Sequence, residues 1–117
     1  MRFVEITYTD AQPVDGYGPG FFRIAGAVHN GPLMVSPSGV RSWGGFEDVT
    51  VLSALADSVD VVFIGTGSEI VHVPAALRNE LEDAGLGVEI MASPAACRTY
   101  NVLLSEGRRI ALAVIPV

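Results

Sequence analysis

Two short segments hold the residues best suited to chemistry. Gly65-Thr66-Gly67 follows an apolar run and predicts a tight turn at the end of a buried strand. Ser93-Pro94-Ala95-Ala96-Cys97-Arg98 predicts the start of a helix, with Ser93 as its N-cap and Pro94 in its first turn. Ligands of open α/β sheets bind beyond the carboxyl ends of the strands. If the two buried strands pair in parallel, both segments lie at that edge.

The glycine turn has two interpretations. Backbone amides in a turn without side chains can approach an anion closely, as can the free amides at a helix N-terminus. The dinucleotide-binding pattern is not met, because Ile70 stands where its third glycine belongs. Gly65 to Gly67 therefore form either a loop that binds a small anion or, more simply, a tight structural turn.

Cys97 is the only cysteine, and it also has two interpretations. The positive end of a helix dipole favours a thiolate, which makes Cys97 a candidate nucleophile. Its usual partner would be a histidine, but neither His29 nor His72 has a motif around it. The alternative is a small buried thiol that packs as a hydrophobic residue.

The same helix continues with four large polar or amphipathic side chains in a row. They are Arg98, Thr99, Tyr100 and Asn101. A helix cannot turn four consecutive side chains all to solvent or all to the core, so at least one is expected in a cleft. Arg98 is predicted either to bind a carboxylate or phosphate or to pair with Glu106 or Asp60.

Other candidates are weaker. Arg23 and His29 are predicted on one face of a strand, as part of a site or as a solvated face. Trp43 and Phe46 form either an interaction patch or a plug for the core. The candidate ligand-binding residues are Gly65, Thr66, Gly67, Ser93, Cys97, Arg98, Thr99, Tyr100, Asn101 and Arg23. No His, Asp or Glu pair has metal-ligand spacing, so we expect no metal, no cofactor and no catalytic residue other than the candidate Cys97.

Buried strands and helices must position these residues. Val61 to Ile64, Gly87 to Met91 and Ile110 to Val117 predict buried strands that alternate with helices. Phe21 to Trp43 predicts an antiparallel β-meander, with a hairpin at Asn30-Gly31. We therefore expect one α/β domain over residues 1–117 with three layers: a mixed β-sheet with parallel βαβ crossovers, helices on one face, and the antiparallel β-meander as an additional layer.

The chain before the meander is predicted to be simpler. Arg2 to Thr7 alternates in polarity and predicts an edge strand, and Asp10 to Gly20 is rich in turn residues and predicts a loop.

Composition excludes several classes of function. The 117 residues carry a net charge of -6, and the seven basic residues are dispersed, which argues against nucleic acid and anionic membranes as partners. All seven are arginines, which excludes lysine chemistry such as Schiff bases. No apolar run approaches the roughly 20 residues of a transmembrane helix, and the first residues lack the apolar core of a signal peptide. We expect a soluble cytoplasmic protein.

Four segments in order carry a family resemblance. They are Tyr17-Gly18-Pro19-Gly20-x-Phe22-Arg23-Ile24, Pro37-x-Gly39-Val40-x-x-Trp43, Gly65-Thr66-Gly67 and Ala96-Cys97-Arg98-Thr99-Tyr100-Asn101. From about Asp15 to Val117 the chain resembles a family of small domains of unknown function that includes the third mitochondrial complex I assembly factor and an adipogenesis-associated human protein. The resemblance implies a three-layer α/β fold and a cleft around Gly65 to Gly67 and Cys97 to Asn101.

The resemblance also implies a role. The mitochondrial member binds partners during assembly of a respiratory complex, and no enzymatic activity is established for the family. We therefore expect a non-enzymatic binding or assembly-accessory protein with a protein partner. The lack of a targeting presequence fits a stand-alone prokaryotic version, for which the mitochondrial partner is either absent or different. The alternative is a small-molecule protein, binding an anion or acting as an enzyme, with its site at the Gly65 to Gly67 turn and the Ser93 to Arg98 helix start.

Overall fold

The computed structural model describes residues 11–117, which form two β-sheets and three helices. The strands are β1 (Val14–Gly18), β2 (Phe21–Ile24), β3 (Ala27–Asn30), β4 (Leu33–Ser36), β5 (Gly39–Ser42), β6 (Val61–Thr66), β7 (Gly87–Met91) and β8 (Ile110–Ile115). The helices are α1 (Thr50–Ser53), α2 (Ala75–Asp83) and α3 (Ser93–Ser105). The predicted edge strand from Arg2 to Thr7 lies outside the described residues.

The larger sheet has five strands in the order β5-β4-β8-β6-β7. β6 pairs in parallel with β7 and β8, whereas β4 runs antiparallel to β5 and β8. The apolar run from Val62 to Ile64 is buried in β6, an interior strand between β8 and β7, as its lack of alternation predicts. The mixed sheet with parallel crossovers is therefore confirmed.

Helices cover both faces of this sheet. Leu52 of α1 and Leu77 of α2 pack with Ile64 on one face, and Tyr100 of α3 packs with Phe63 on the other. The prediction of helices on one face is wrong in this respect, and the strand order explains why. The connections from β5 to β6 and from β6 to β7 run along the sheet in one direction, and the connection from β7 to β8 runs back. Right-handed crossovers in opposite directions place their helices on opposite faces.

The smaller sheet is antiparallel, in the order β1-β2-β3, and shares a face of the larger sheet with α3. Phe22 and Ile24 fill the space between the two sheets. The predicted additional β-layer is thus present, and together with the fold class it is confirmed. The three layers are α1 with α2, the larger sheet, and α3 with the smaller sheet.

The members of this layer differ from the predicted meander. β4 and β5 belong to the larger sheet, and β1 lies within the predicted loop from Asp10 to Gly20. The predicted strand from Phe21 to His29 is divided by a two-residue turn at Ala25 and Gly26, whose φ angles are 53° and 80°. The predicted hairpin at Asn30-Gly31 is instead a connection between the two sheets.

Candidate functional site

The glycine turn and the start of α3 lie side by side, as the parallel pairing of β6 and β7 predicts. The Ser93 amide donates to the Gly67 carbonyl at 2.7 Å, and the Gly67 amide donates to Ser93 Oγ at 2.8 Å. The Ser93 hydroxyl in turn donates to the carbonyl of Ile115, the last residue of β8. Ser93 is therefore not the helix N-cap, which is Ala92, but the residue that joins three segments.

Close packing explains Gly65. A Cβ at this position would lie 2.7 Å from Ser93 Oγ, 2.7 Å from Val114 Cγ1 and 2.8 Å from the Ser93 Cα. Gly67 has a φ of 105°, a conformation that other residues rarely adopt. Packing at Gly65 and the backbone conformation of Gly67 thus explain why glycine occupies both positions. The Gly67 amide is already satisfied by a side chain of the protein.

Thr66 fixes the loop that follows the glycine turn. Its hydroxyl donates to the Glu69 carbonyl at 2.7 Å and accepts from the Val71 amide at 3.1 Å. These two bonds hold the backbone on either side of Ile70, a residue that is 63% exposed. The loop is therefore a constrained segment that points an isoleucine at solvent.

Cys97 is buried in the core between α3 and the larger sheet. Burial raises the pKa of its thiol to about 12, because desolvation disfavours the thiolate. This direction is opposite to the acidified thiol expected at a helix start. Within residues 11–117, no hydrogen bond connects Cys97 to His29 or His72. The surroundings are those of a packing residue.

Tyr100 and Asn101 attach β1 to α3. The Tyr100 hydroxyl donates to the Gln12 carbonyl at 2.9 Å. Asn101 Oδ1 accepts from the Val14 amide and Asn101 Nδ2 donates to the Val14 carbonyl, both at 2.8 Å. The asparagine amide therefore satisfies both backbone groups of Val14, as a neighbouring strand would. Burial, with a smaller contribution from Cys97, raises the pKa of Tyr100.

Arg98 faces solvent on the exposed side of α3. It lines a depression of about 300 Å³ between α3 and β1, together with Asp15 and the edge of Asn101. Its predicted partner Asp60 is instead paired with Arg109 at 3.1 Å. No ion pair joins Arg98 to another residue of the described range, and its neighbour Thr99 is half-buried.

The remaining candidates lie apart. Arg23 is directly opposite Val28 in the sheet, so it cannot share a face with His29, the next residue along β3. The predicted placement of Arg23 and His29 on one face is therefore wrong, because the turn at Ala25 and Gly26 divides the predicted strand. Trp43 is 3% exposed and donates from Nε1 to the Asp48 carbonyl, which makes it part of the core.

A second region was not singled out from the sequence. Apolar side chains line a surface depression of about 610 Å³ beside the loop after β6. Its lining comprises Ile70, Val71, His72, Val73, Ala75, Arg78 and Ile90. Val71 is 50% exposed and Ile70 is 63% exposed. The sequence did contain a signal for this region. Apolar residues lie between β6 and α2, and neither the strand nor the helix needs them for its buried face.

Comparison with known proteins identifies the family. The model of the family described as "Protein of unknown function (DUF498/DUF598)" matches residues 14–115. The chain belongs to this family. It is 50% identical to an uncharacterised protein of Rhodobacter capsulatus over 94% of this chain and 89% of that protein. The resemblance stated from the sequence is confirmed.

Two further relatives have more informative names. NADH dehydrogenase [ubiquinone] 1 alpha subcomplex assembly factor 3 of zebrafish (Danio rerio) is 36% identical over 86% of this chain, which spans only 62% of that protein. A structure described as an outer membrane protein of Bartonella henselae is 35% identical, with a TM-score of 0.82 over 89% of this chain and 93% of that one. In the part described here, residues 11–117, no helix has the length and apolarity to cross a membrane.

Proposed function

We propose that this protein is a non-enzymatic binding protein that assists the assembly of a larger protein complex. The observation that carries this proposal is the exposed apolar pair Ile70 and Val71, in the loop that Thr66 holds in place. Exposed apolar surface that is rigid and adjoins a depression is typical of protein interaction sites. The zebrafish relative named as a complex I assembly factor supports the same role.

The residues with reactive side chains support binding rather than catalysis. The Ser93 hydroxyl bonds to the Gly67 amide and the Ile115 carbonyl, and the Cys97 thiol is buried with a raised pKa. A nucleophile needs an adjacent base and access to substrate. Both side chains instead stabilise the packing of α3 on the larger sheet.

Affinity capture with matched variants tests the proposal. The tagged wild type is compared with Val71→Asp and with the control Val28→Asp, because both valines are 50% exposed but Val71 lies in the loop after β6 and Val28 in β3 of the smaller sheet. We expect a specific partner to be recovered by the wild type and by Val28→Asp, and at least about tenfold less by Val71→Asp. Equal recovery by both variants, or no specific partner of the wild type, would contradict the proposal.

A second proposal concerns the depression at Arg98. An exposed guanidinium with no ion pair to the described residues is suited to a carboxylate or phosphate, so we propose that a small anion binds there. Asp15 in the same depression opposes such binding. Inorganic phosphate should raise the melting temperature of the wild type but not that of Arg98→Ala. An equal shift in both would sink this proposal.

We also propose that the protein is located in the cytoplasm, as expected from the composition of the sequence. The Bartonella relative is described as an outer membrane protein, which makes the question worth testing. After cell fractionation the protein should be recovered with the soluble cytoplasmic fraction. Recovery in the membrane pellet that resists a salt wash would overturn this assignment.

A further inference from the structure

β7 is an edge strand of the larger sheet. It pairs in parallel with β6, and among the described residues no strand pairs with its other side. An edge strand leaves one row of backbone N–H and C=O groups available for hydrogen bonds with an added strand. Partner proteins use such edges by inserting an extended segment, which gains affinity from the backbone and specificity from alternate side chains.

The apolar depression begins at this edge. Ile90 pairs with Ile64, so its side chain lies on the face covered by α2. It lines the depression together with Ile70 and Val71. A segment added to β7 therefore places every second side chain over exposed apolar surface. The depression also contains His72 and Arg78, of which Arg78 is paired with Glu82 at 3.0 Å.

The other face of β7 carries a charge. Glu89 is opposite Phe63, so it points away from the depression, and it is exposed at the centre of the strand. No ion pair joins Glu89 to another residue in the described part of the chain. Side chains directly opposite on paired strands lie about 5 Å apart, so a basic residue there is favoured and an acidic one is disfavoured.

This charge also argues against self-association through β7. Two copies paired antiparallel about the centre of Gly87–Met91 would place two Glu89 carboxylates opposite each other. A like-charged pair in that position is destabilising, which is how many edge strands avoid pairing with copies of themselves. This repulsion favours a segment of a different protein over a second copy of this chain as the occupant.

We propose that β7 binds an extended segment of a partner protein that alternates apolar and basic side chains. Its apolar side chains cover the depression at Ile70, Val71 and Ile90, and a basic side chain between them faces Glu89. This inference rests on the proposed binding function and names its site and the chemistry of its partner.

Peptide selection tests the inference without a known partner. Random heptapeptides displayed on phage are selected on the immobilised protein, and the enriched peptides are synthesised. We expect Arg or Lys flanked at both immediately adjacent positions by apolar residues, because neighbouring side chains of a strand point to opposite faces. In ¹⁵N-labelled protein, the peptide should shift the amide signals of β7 and of residues 70–73. Glu89→Lys should weaken binding at least tenfold, and a peptide with Glu in place of the basic residue should restore it.

A charge-matched control separates this contact from general attraction of basic peptides to an acidic protein. Glu106→Lys makes the same change in net charge at the exposed end of α3 and should leave binding unchanged. Three results would overturn the inference. The first is equal weakening of peptide binding by Glu89→Lys and Glu106→Lys, and the second is selected peptides with apolar residues at helical spacing. The third is a shift of the amide signals of β5 instead of those of β7. A failure to enrich any peptide would also overturn it. If peptide selection failed but Val71→Asp still abolished capture of a partner, the inference of strand addition would be rejected. The proposed binding function would nevertheless stand.

Discussion

The start of α3 and the loop after β6 are neighbours that use their side chains in opposite ways. At the start of α3, the hydroxyl of Ser93 is satisfied inside the protein, and further along the same helix so is the amide of Asn101. In the loop, the apolar side chains of Ile70 and Val71 are left at the surface. Residue types that suggest chemistry thus have structural roles here, and the surface available to a partner consists of ordinary aliphatic residues.

The largest expected effect tests whether Cys97 belongs to the structural region. With a pKa of about 12 against the ordinary 9.0, the thiolate fraction at pH 8 is about 1000-fold lower in the folded protein than in the unfolded chain. Iodoacetamide should therefore alkylate the native protein at least about 1000-fold more slowly than the urea-unfolded protein, as measured by mass spectrometry. Comparable rates would show an accessible, activated thiol and reverse the assignment.

The raised pKa of the Cys97 thiol also predicts how the free energy of unfolding depends on pH. As pH rises, the unfolded chain releases its thiol proton near pH 9, before the folded protein does near pH 12. The folded state therefore loses stability across this range, while the contribution of Cys97 is complete below pH 9. Cys97→Ala should reduce the slope in chemical denaturation curves between pH 9 and 11. Some slope should remain, because the pKa of Tyr100 is raised in the same way.

Much of the fold was predictable because it depends on local patterns. The unbroken apolar run from Val61 to Ile64 indicated a central strand, and Pro94 and Gly107 bounded the third helix. By contrast, β1 lies in a stretch rich in glycine, and its first residue is held by Asn101, 87 positions away. No local pattern contains that contact. Likewise, the turn at Ala25 and Gly26 requires a φ of 53° from an alanine, which sequence propensity disfavours.

The candidate site was predictable only in part, for the same reason. Parallel pairing of β6 and β7 implied that the glycine turn meets the start of α3, which is the case. The side of α3 that packs on the larger sheet is set by the tertiary fold, and this packing buries Cys97 and leaves Arg98 exposed. The apolar loop after β6 was overlooked because isoleucine and valine indicate a core unless the fold shows them at the surface.

Gly65→Ala tests whether the glycine turn is needed for packing. The new Cβ would meet Ser93 Oγ and Val114 Cγ1 at 2.7 Å, and the Ser93 backbone prevents a simple adjustment. We expect a loss of about 3 kcal/mol in the free energy of unfolding, measured with urea. Gly16→Ala is the matched control, since no atom lies within 4 Å of its added Cβ. If the glycine turn were a ligand loop without a packing role, Gly65→Ala and Gly16→Ala would lose similar, small amounts of stability.

Asn101→Ala tests the attachment of β1. The change removes two hydrogen bonds and leaves both backbone groups of Val14 without their partner, so we expect a loss of about 2 kcal/mol. Asn79→Ala on the exposed surface of α2 makes the same change in helix propensity and should stay within about 0.5 kcal/mol. If the two variants were equally stable, Asn101 would be free for a ligand and the structural interpretation of α3 would fail.

Thr66→Val tests the residue that joins the two regions. Valine keeps the shape of threonine in β6 but cannot bond to the Glu69 carbonyl or the Val71 amide, so we expect a loss of about 1 kcal/mol. Hydrogen exchange at the Val71 amide should become faster. Thr99→Val is the control, because the Thr99 hydroxyl makes no hydrogen bond to another residue among 11–117.

The same variant should bind the partner less tightly than the wild type and more tightly than Val71→Asp. The apolar side chains remain, but their loop has to be ordered when the partner binds, which reduces affinity. If the Val71 amide were equally protected in Thr66→Val and binding were unchanged, the loop would be held by its own packing. The exposure of Ile70 and Val71 would then not depend on the hydrogen bonds of Thr66, and the loop after β6 would be independent of the start of α3.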